Sequence, residues 1–250
     1  MAITYQNTLP DPNYQEGDDG GTSGSTGPGF ASVSLTSTSP IMKTRTNSGR
    51  MVARAIKSHL WNISISYNPM TRAEFEPVYN FLLNRRGSLS PFFVSLPQYR
   101  TPQDSNLAGS LKIFAPSNIN DVIVADTKDT VRAGATAIPI DGVTAGNPKP
   151  GDLFTITDLS DSNHKKAYMV TQVETPSSYS TPATGTYPDA PAGTERIIHC
   201  MPGLQKKTFN NADLVFTNPL IRVIATDVQE YALGNDGLYT FSLKLEEALP

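Results

Sequence analysis

The sequence is poor in the residues from which reactive sites are built. Its 250 residues include one cysteine, Cys200, one tryptophan, Trp61, and three histidines, His59, His164 and His199. A single cysteine excludes an intrachain disulfide, so an oxidising compartment is not required. No stretch approaches the ~18 apolar residues that a membrane helix needs. The opening "MAITYQNTLPDPNYQ" has neither the basic nor the apolar region of a signal peptide. A soluble protein made inside the cell, with no membrane partner, is expected. Positive charge is not in excess either: 20 Lys and Arg stand against 23 Asp and Glu, a net charge of -3. That leaves no basic footprint for binding nucleic acid. A surface that only lets nucleic acid pass would avoid positive charge too, so the sign does not exclude that role. The apolar fraction of 38% suffices for a core but is low for a compact α/β enzyme. The 18 Gly and 20 Pro explain the shortfall, since they mark turns and loops.

Catalytic motifs are missing as well. There is no G-x-x-x-x-G-K-[ST], no G-x-S-x-G and no H-E-x-x-H. The Gly-rich stretch at 17–29 lacks the flanking strand and helix of a phosphate cradle. His59 begins an apolar strand, and His199 sits beside Cys200 in "RIIHCMPGL". Both histidines read as structural, and Cys200 as a buried, inert thiol. His164 has Asp158 and Asp161 nearby, but the run lacks the alternating ligands and glycine of a calcium loop. It reads as a solvated hairpin tip. Glu246 and Glu247 are adjacent and point to opposite strand faces, so they form no catalytic pair. Asp152 follows Pro150-Gly151, where aspartate caps turn backbone. Asn62-Ile63-Ser64 matches a glycosylation acceptor, a pattern without meaning in the absence of a signal peptide. No enzyme activity, cofactor or metal is expected. Tyr168, Tyr179 and Tyr187 are the candidates for stacking on a sugar, as in a receptor- or carbohydrate-binding protein. Packing in a core, or positions on loops, is the plainer reading of them.

What the chain does contain is patterned β-structure. Residues 11–30, rich in Gly, Ser, Asp and Pro, read as a flexible arm that orders only against a partner. "FASVSLTSTSPIM" alternates Phe30, Ser32 and Ser34 against Ala31, Val33 and Leu35, and "GRMVARAI" keeps the same period. In "SHLWNISISYNPMTRAEFEPVYNFLLNRRGS", Trp61, Ile63, Ile65 and Tyr67 share one face of a half-buried strand. Thr71 and Glu74 have the spacing of a capping box. Phe75, Val78, Tyr79 and Leu82 form a helical stripe, and Arg85 and Arg86 suit a helix C-terminus that Gly87 ends. Pro77 conflicts with a helix starting at Thr71: either the helix kinks, or its regular part starts near Glu76. "LSPFFVSLPQY" reads as one more strand. At the end, "LIRVIATDVQEYAL", a "GNDG" turn and "LYTFSLKLEEAL" predict a long hairpin with Tyr239, Phe241, Leu243 and Leu245 on one face.

From about residue 128, short strands separated by Gly, Pro and Asn turns predict a small all-β barrel or sandwich. The expected organisation is a flexible arm (1–30), a domain made of 31–127 with 218–250, and an inserted β-barrel at 128–217. Insertion at a surface loop costs little closure entropy. The fold class expected is mainly β with one main helix, an α+β arrangement.

These motifs carry a resemblance. "W-x-I-x-I-S-Y-x-P-M-T-x-x-E-F-x-P-V-x-x-F-L-x-x-x-R-G" followed by "F-F-V-S-L-P-Q-Y" resembles the N-terminal region of bacteriophage distal tail, or tail-tube initiator, proteins of the baseplate or tail tip. "R-A-G-A-T-A-I-P-I-D-G", "K-P-G-D-L-F-T-I", "Y-M-V-T-Q-V" and "A-D-L-V-F" look like the barrel insertion such proteins carry. "V-Q-E-Y-A-L" with "L-Y-T-F-S-L-K-L-E-E-A-L" is similar to their closing strand pair. The resemblance covers about residues 51–250 and implies a tail-tube-like β-sandwich with a helix. It implies a structural virion protein, assembled in the host cytoplasm, that forms a hexameric ring at the distal end of the tail tube. The implied partners are other copies, the tail tube protein, and baseplate hub or tail-tip proteins. DNA would pass through the lumen at ejection without specific binding. Trp61, Ile63, Ile65, Tyr67, Phe75, Val78, Tyr79, Leu82, Tyr239, Phe241, Leu243 and Leu245 would be the core and assembly residues. The arm at 1–30 departs from the short start usual in that family.

Overall fold

The computed structural model describes residues 7–10, 29–55, 58–114, 130–157, 166–178, 193–226 and 230–249. Met1–Val94 with Arg222–Ala248 form one compact unit, and Ser95–Ile221 with Leu249–Pro250 form a second. The first begins with strands β1 (Phe30–Thr38), β2 (Ile41–Arg45), β3 (Met51–Ala55) and β4 (Leu60–Tyr67). Helix α1 (Arg72–Arg85) and β5 (Phe92–Ser95) follow. The second unit holds β6 (Ser110–Ile113), β7 (Thr130–Val131), β8 (Ala137–Asp141), β9 (Leu153–Thr157) and β10 (Ala167–Glu174). It continues with β11 (Arg196–Met201), β12 (Thr208–Phe209) and β13 (Asp213–Val215). The chain then returns through β14 (Leu220–Ala225), β15 (Tyr231–Leu233) and β16 (Tyr239–Glu247). The molecule is mainly β with one α-helix among the described residues.

In the first unit the main sheet has the order β1-β4-β16-β14-β5, with β15 beside the start of β16. Register explains why its core is continuous. Ile63 of β4 lies between Leu35 of β1 and Leu245 of β16, and Ile65 lies between Val33 and Leu243. The period-two apolar residues of three adjacent strands therefore fall on one face, where pairs support each other. Phe30 departs from the simple alternation. A register shift between Phe30 and Ser32 sets Phe30 opposite Tyr67, and their rings meet edge to face at 5.3 Å. One inserted residue moves a side chain to the other face. β2 and β3 pair only with each other among the described residues, as a separate two-stranded sheet.

Helix α1 covers the apolar face. Its start follows the spacing of Thr71 and Glu74: the Thr71 N–H and hydroxyl both donate to Glu74 Oε2 at 2.9 Å. Those hydrogen bonds hold the Glu74 carboxyl below its usual value. The helix is regular from Arg72 onward, with Pro77 inside it, so it does not begin near Glu76. At the other end Arg86, not Gly87, is the first residue in the left-handed region, with φ 54, and Gly87 follows at φ 65. "LSPFFVSLPQY" contains a strand only at Phe92–Ser95. Pro97, which has no N–H to give a ladder, opens a 3-10 turn at Pro97–Tyr99.

The second unit is a closed six-stranded barrel in the order β10-β11-β8-β6-β13-β9. Closure leaves the ring of strands without a free edge. Its interior is filled by Leu111, Ile138, Ile140, Phe154, Ile156, Tyr168, Ile198 and Leu214, among others. The expected insertion began at 128, but β6 at Ser110–Ile113 already pairs with β8 and β13. "GSLKIF" is too short to signal its barrel by periodicity. The expected final hairpin is interrupted: β14 pairs with β16 at Val223–Ala225, and β15 pairs with it at Tyr231–Leu233.

Candidate functional site

The residues singled out in the first unit meet in one apolar layer. Trp61, Ile63, Ile65 and Tyr67 of β4 are buried, as are Phe241, Leu243 and Leu245 of β16 and Phe75, Val78 and Leu82 of α1. Tyr79 and Tyr239 lie at its margin, partly exposed. Phe75 is the joint between helix and sheet. Its ring stacks on Tyr239 at 4.5 Å with an interplanar angle of 7° and meets Phe241 edge-on at 5.8 Å. Tyr231 of β15 closes the cluster against Phe75 at 5.0 Å and Tyr79 at 5.4 Å. Offset and edge-to-face pairs of this kind add roughly 0.5–1.5 kcal/mol each beyond the burial of area.

Phe81 was not in the expected stripe, yet it is fully buried against Phe92 at 5.3 Å. The stripe is centred on Val78, so its neighbours are Phe75, Phe81 and Leu82, and Tyr79 falls to the edge. Spacings of three from Val78 in both directions would have found it. Met70, Leu9, Phe92 and Val223 also enter the core. Met70 does so through a bridge to Tyr239, a contact between distant segments that has no local signature.

Among the described residues, the reactive side chains make close contacts with neighbouring elements. His59 Nε2 lies 2.9 Å from Ser37 Oγ, and its ring edge meets Trp61 at 4.6 Å. His199 Nε2 and Glu174 Oε1 are 2.7 Å apart between neighbouring strands. Cys200 is buried, and desolvation pushes its thiol up to about 12. Glu246 and Glu247 divide between strand faces: Glu247 is buried and accepts the Trp61 N–H at 3.2 Å. Asp152 is buried and accepts the N–H groups of Gln103 at 2.9 Å and Lys149 at 2.8 Å. That is the backbone capping expected of it. Arg85 crosses the Phe81 ring at 4.6 Å.

Tyr168 is no candidate for sugar stacking. It lies in the barrel core, stacked on Phe154 at 5.6 Å, and its hydroxyl accepts the Gln205 N–H at 3.0 Å. The apolar strand around it carried that signal. Tyr179, Tyr187, His164, Asp158 and Asp161 lie outside the described residues. Among the described residues no three His, Cys, Asp or Glu side chains converge to hold a metal ion, and no helix is long and apolar enough to cross a membrane. The arrangement holds strands in register and presents surfaces.

Comparison with known proteins adds two findings. Residues 9–99 match the family described as "Distal tail protein pb9, A domain, N-terminal", a span holding β1 to β5 and α1. The distal tail protein pb9 of Escherichia phage T5 is 28% identical over 224 residues, covering 89% of this chain and 94% of that protein. The match therefore extends through the barrel as well. On these two findings the chain is similar to the phage distal tail proteins, the group whose motifs its sequence resembles.

Proposed function

We propose that this chain is a structural protein of a phage tail. In this reading it forms a ring at the distal end of the tail tube, located in the virion after assembly in the host cytoplasm. The ring joins the tube to the baseplate or tail-tip hub and encloses the channel through which DNA is ejected. The observation that carries the reading is likeness to a distal tail protein along 89% of the chain. The first unit is the tail-tube-like β-sandwich domain, and the packing of the Trp61 strand on the Phe75/Val78/Leu82 helix face holds its sheet at one curvature. Fixed curvature is what a closed ring demands of each copy, because a small error per interface accumulates around the circle. The net charge of -3 suits a passage for DNA, since a basic lining would retain the polyanion.

The test is assembly. Light scattering and negative-stain imaging of the purified chain, alone and mixed with the tube protein of the same particle, should reveal rings. Labelling of intact particles should place the chain at the tail's distal end. A protein that stays monomeric at every concentration and beside every other tail component overturns the reading.

A further inference from the structure

Two exposed hairpins leave the first unit from opposite ends of its sheet, and their charges are opposite. Thr38 pairs with Leu60 at one end of the β1–β4 ladder, and the chain between them forms the β2–β3 hairpin. At the other end Ser242 pairs with Ser66 and Met70 bridges Tyr239. There the β15–β16 hairpin turns through residues 234–238. β4 has 8 residues, and at about 3.3 Å per residue the two hairpins stand roughly 25 Å apart along the sheet. They cannot serve each other within one chain.

The β2–β3 hairpin carries Lys43, Arg45, Arg50 and Arg54, and no acidic residue occurs between Phe30 and Ala73. Its apolar side chains face solvent: Met42 is 64% and Met51 57% exposed, with Ile41 and Val52 exposed beside them. Register places Lys43 and Arg45 with Met51 on one face, and Met42 with Val52 and Arg54 on the other. A two-stranded ribbon is marginal by itself in water, and an apolar edge left bare invites pairing. At the opposite end, β15 pairs only with β16 among the described residues. It exposes Tyr231 at 49% and Leu233 at 57%, flanked by Glu230 and Asp236, with no Lys or Arg between Arg222 and Lys244. Each surface has the apolar contacts, a backbone edge unpaired among the described residues, and the charge that complete the other.

We propose that the basic β2–β3 hairpin of one copy docks on the acidic β15 edge of the next, Lys43 and Arg45 facing Glu230 and Asp236. The contact uses two different surfaces of one chain, which makes it head-to-tail, the kind that closes into a ring when the rotation between copies returns on itself. This rests on the ring reading above and names the surfaces that would join its copies. Strand addition supplies backbone hydrogen bonds, and the opposed charges set the orientation.

The single native thiol, Cys200, is buried, so introduced cysteines report alone. An equal mixture of Thr44→Cys and Leu233→Cys chains, treated with a short bis-maleimide, should give linked dimers. Neither variant alone should do so, and a chain carrying both should give a ladder of multimers. Lys43→Glu with Arg45→Glu should weaken association about tenfold or more, and Glu230→Lys with Asp236→Lys on the same chain should restore it. Both pairs lie on the surface and leave the core intact. Rings that form without cross-linking, and that ignore charge reversal, overturn this proposal while leaving the ring reading standing. Failure to oligomerise at all removes both. Retardation of duplex DNA by the native chain, lost on Lys43→Glu with Arg45→Glu while the cysteine mixture stays unlinked, would assign the hairpin to nucleic acid and overturn the proposal as well.

Discussion

At the scale of single residues, ionisable groups here act through burial and backbone contact. Cys200 lies within the barrel, where removal from water disfavours the thiolate and raises its pKa to about 12. A thiolate is the reactive species, so the folded protein should resist iodoacetamide at pH 8 and react fully once unfolded, as read by mass spectrometry. The linkage has a definite sign. The folded pKa is above the unfolded thiol value near ~8.5, so the contribution is fully present below that pH. It is lost as pH rises toward the folded value, and the barrel should become easier to denature across that alkaline window. Rapid alkylation of the native protein would contradict the burial. Asp104 shows the opposite direction: N–H groups of Asn106 and Asn147 hold its carboxyl below the usual range. It ties together backbone 43 residues apart in sequence, which no local pattern announces.

At the scale of elements, α1 is the informative case because one residue opposes it. Pro77 lies inside the helix, has no N–H to offer the Ala73 carbonyl, and crowds it with its ring. The helix persists because tertiary packing outweighs intrinsic propensity: Phe75, Val78, Phe81 and Leu82 are all buried. A fully buried side chain of this size stabilises by roughly 1.5–3 kcal/mol, so their sum exceeds the ~3 kcal/mol cost of an interior proline. Pro77 is exposed, so Pro77→Ala should restore the missing hydrogen bond without disturbing the core. The expected gain is about 1–2 kcal/mol, after subtracting the greater freedom of the unfolded alanine chain. Chemical denaturation checks this, and a loss of stability would mean that the proline serves a contact beyond the helix.

At the scale of the whole molecule, the net charge of -3 hides a strongly uneven distribution. A small total charge makes general repulsion between copies weak, which leaves local opposites free to orient them. If the two hairpins join the copies, association should slow as salt rises, because exposed charges are screened within about 8 Å at physiological ionic strength. The apolar part of the contact should survive, so the effect should fall mainly on the association rate. Stopped-flow light scattering across a salt series measures this. A rate that is flat in salt would place the contact elsewhere.

The elements were largely legible from local pattern. The Trp61 strand, the helix stripe, the short barrel strands and the closing strand pair all follow from hydrophobic period and turn chemistry, which act over a few residues. What tertiary structure alone decided were relations between distant segments: β6 joining the barrel, Met70 bridging Tyr239, and the bulge that turns Phe30 onto Tyr67. Their cause is long-range pairing and packing. A side chain's exposure is set by whichever strand arrives beside it, often more than a hundred residues away, and local periodicity carries no record of that neighbour.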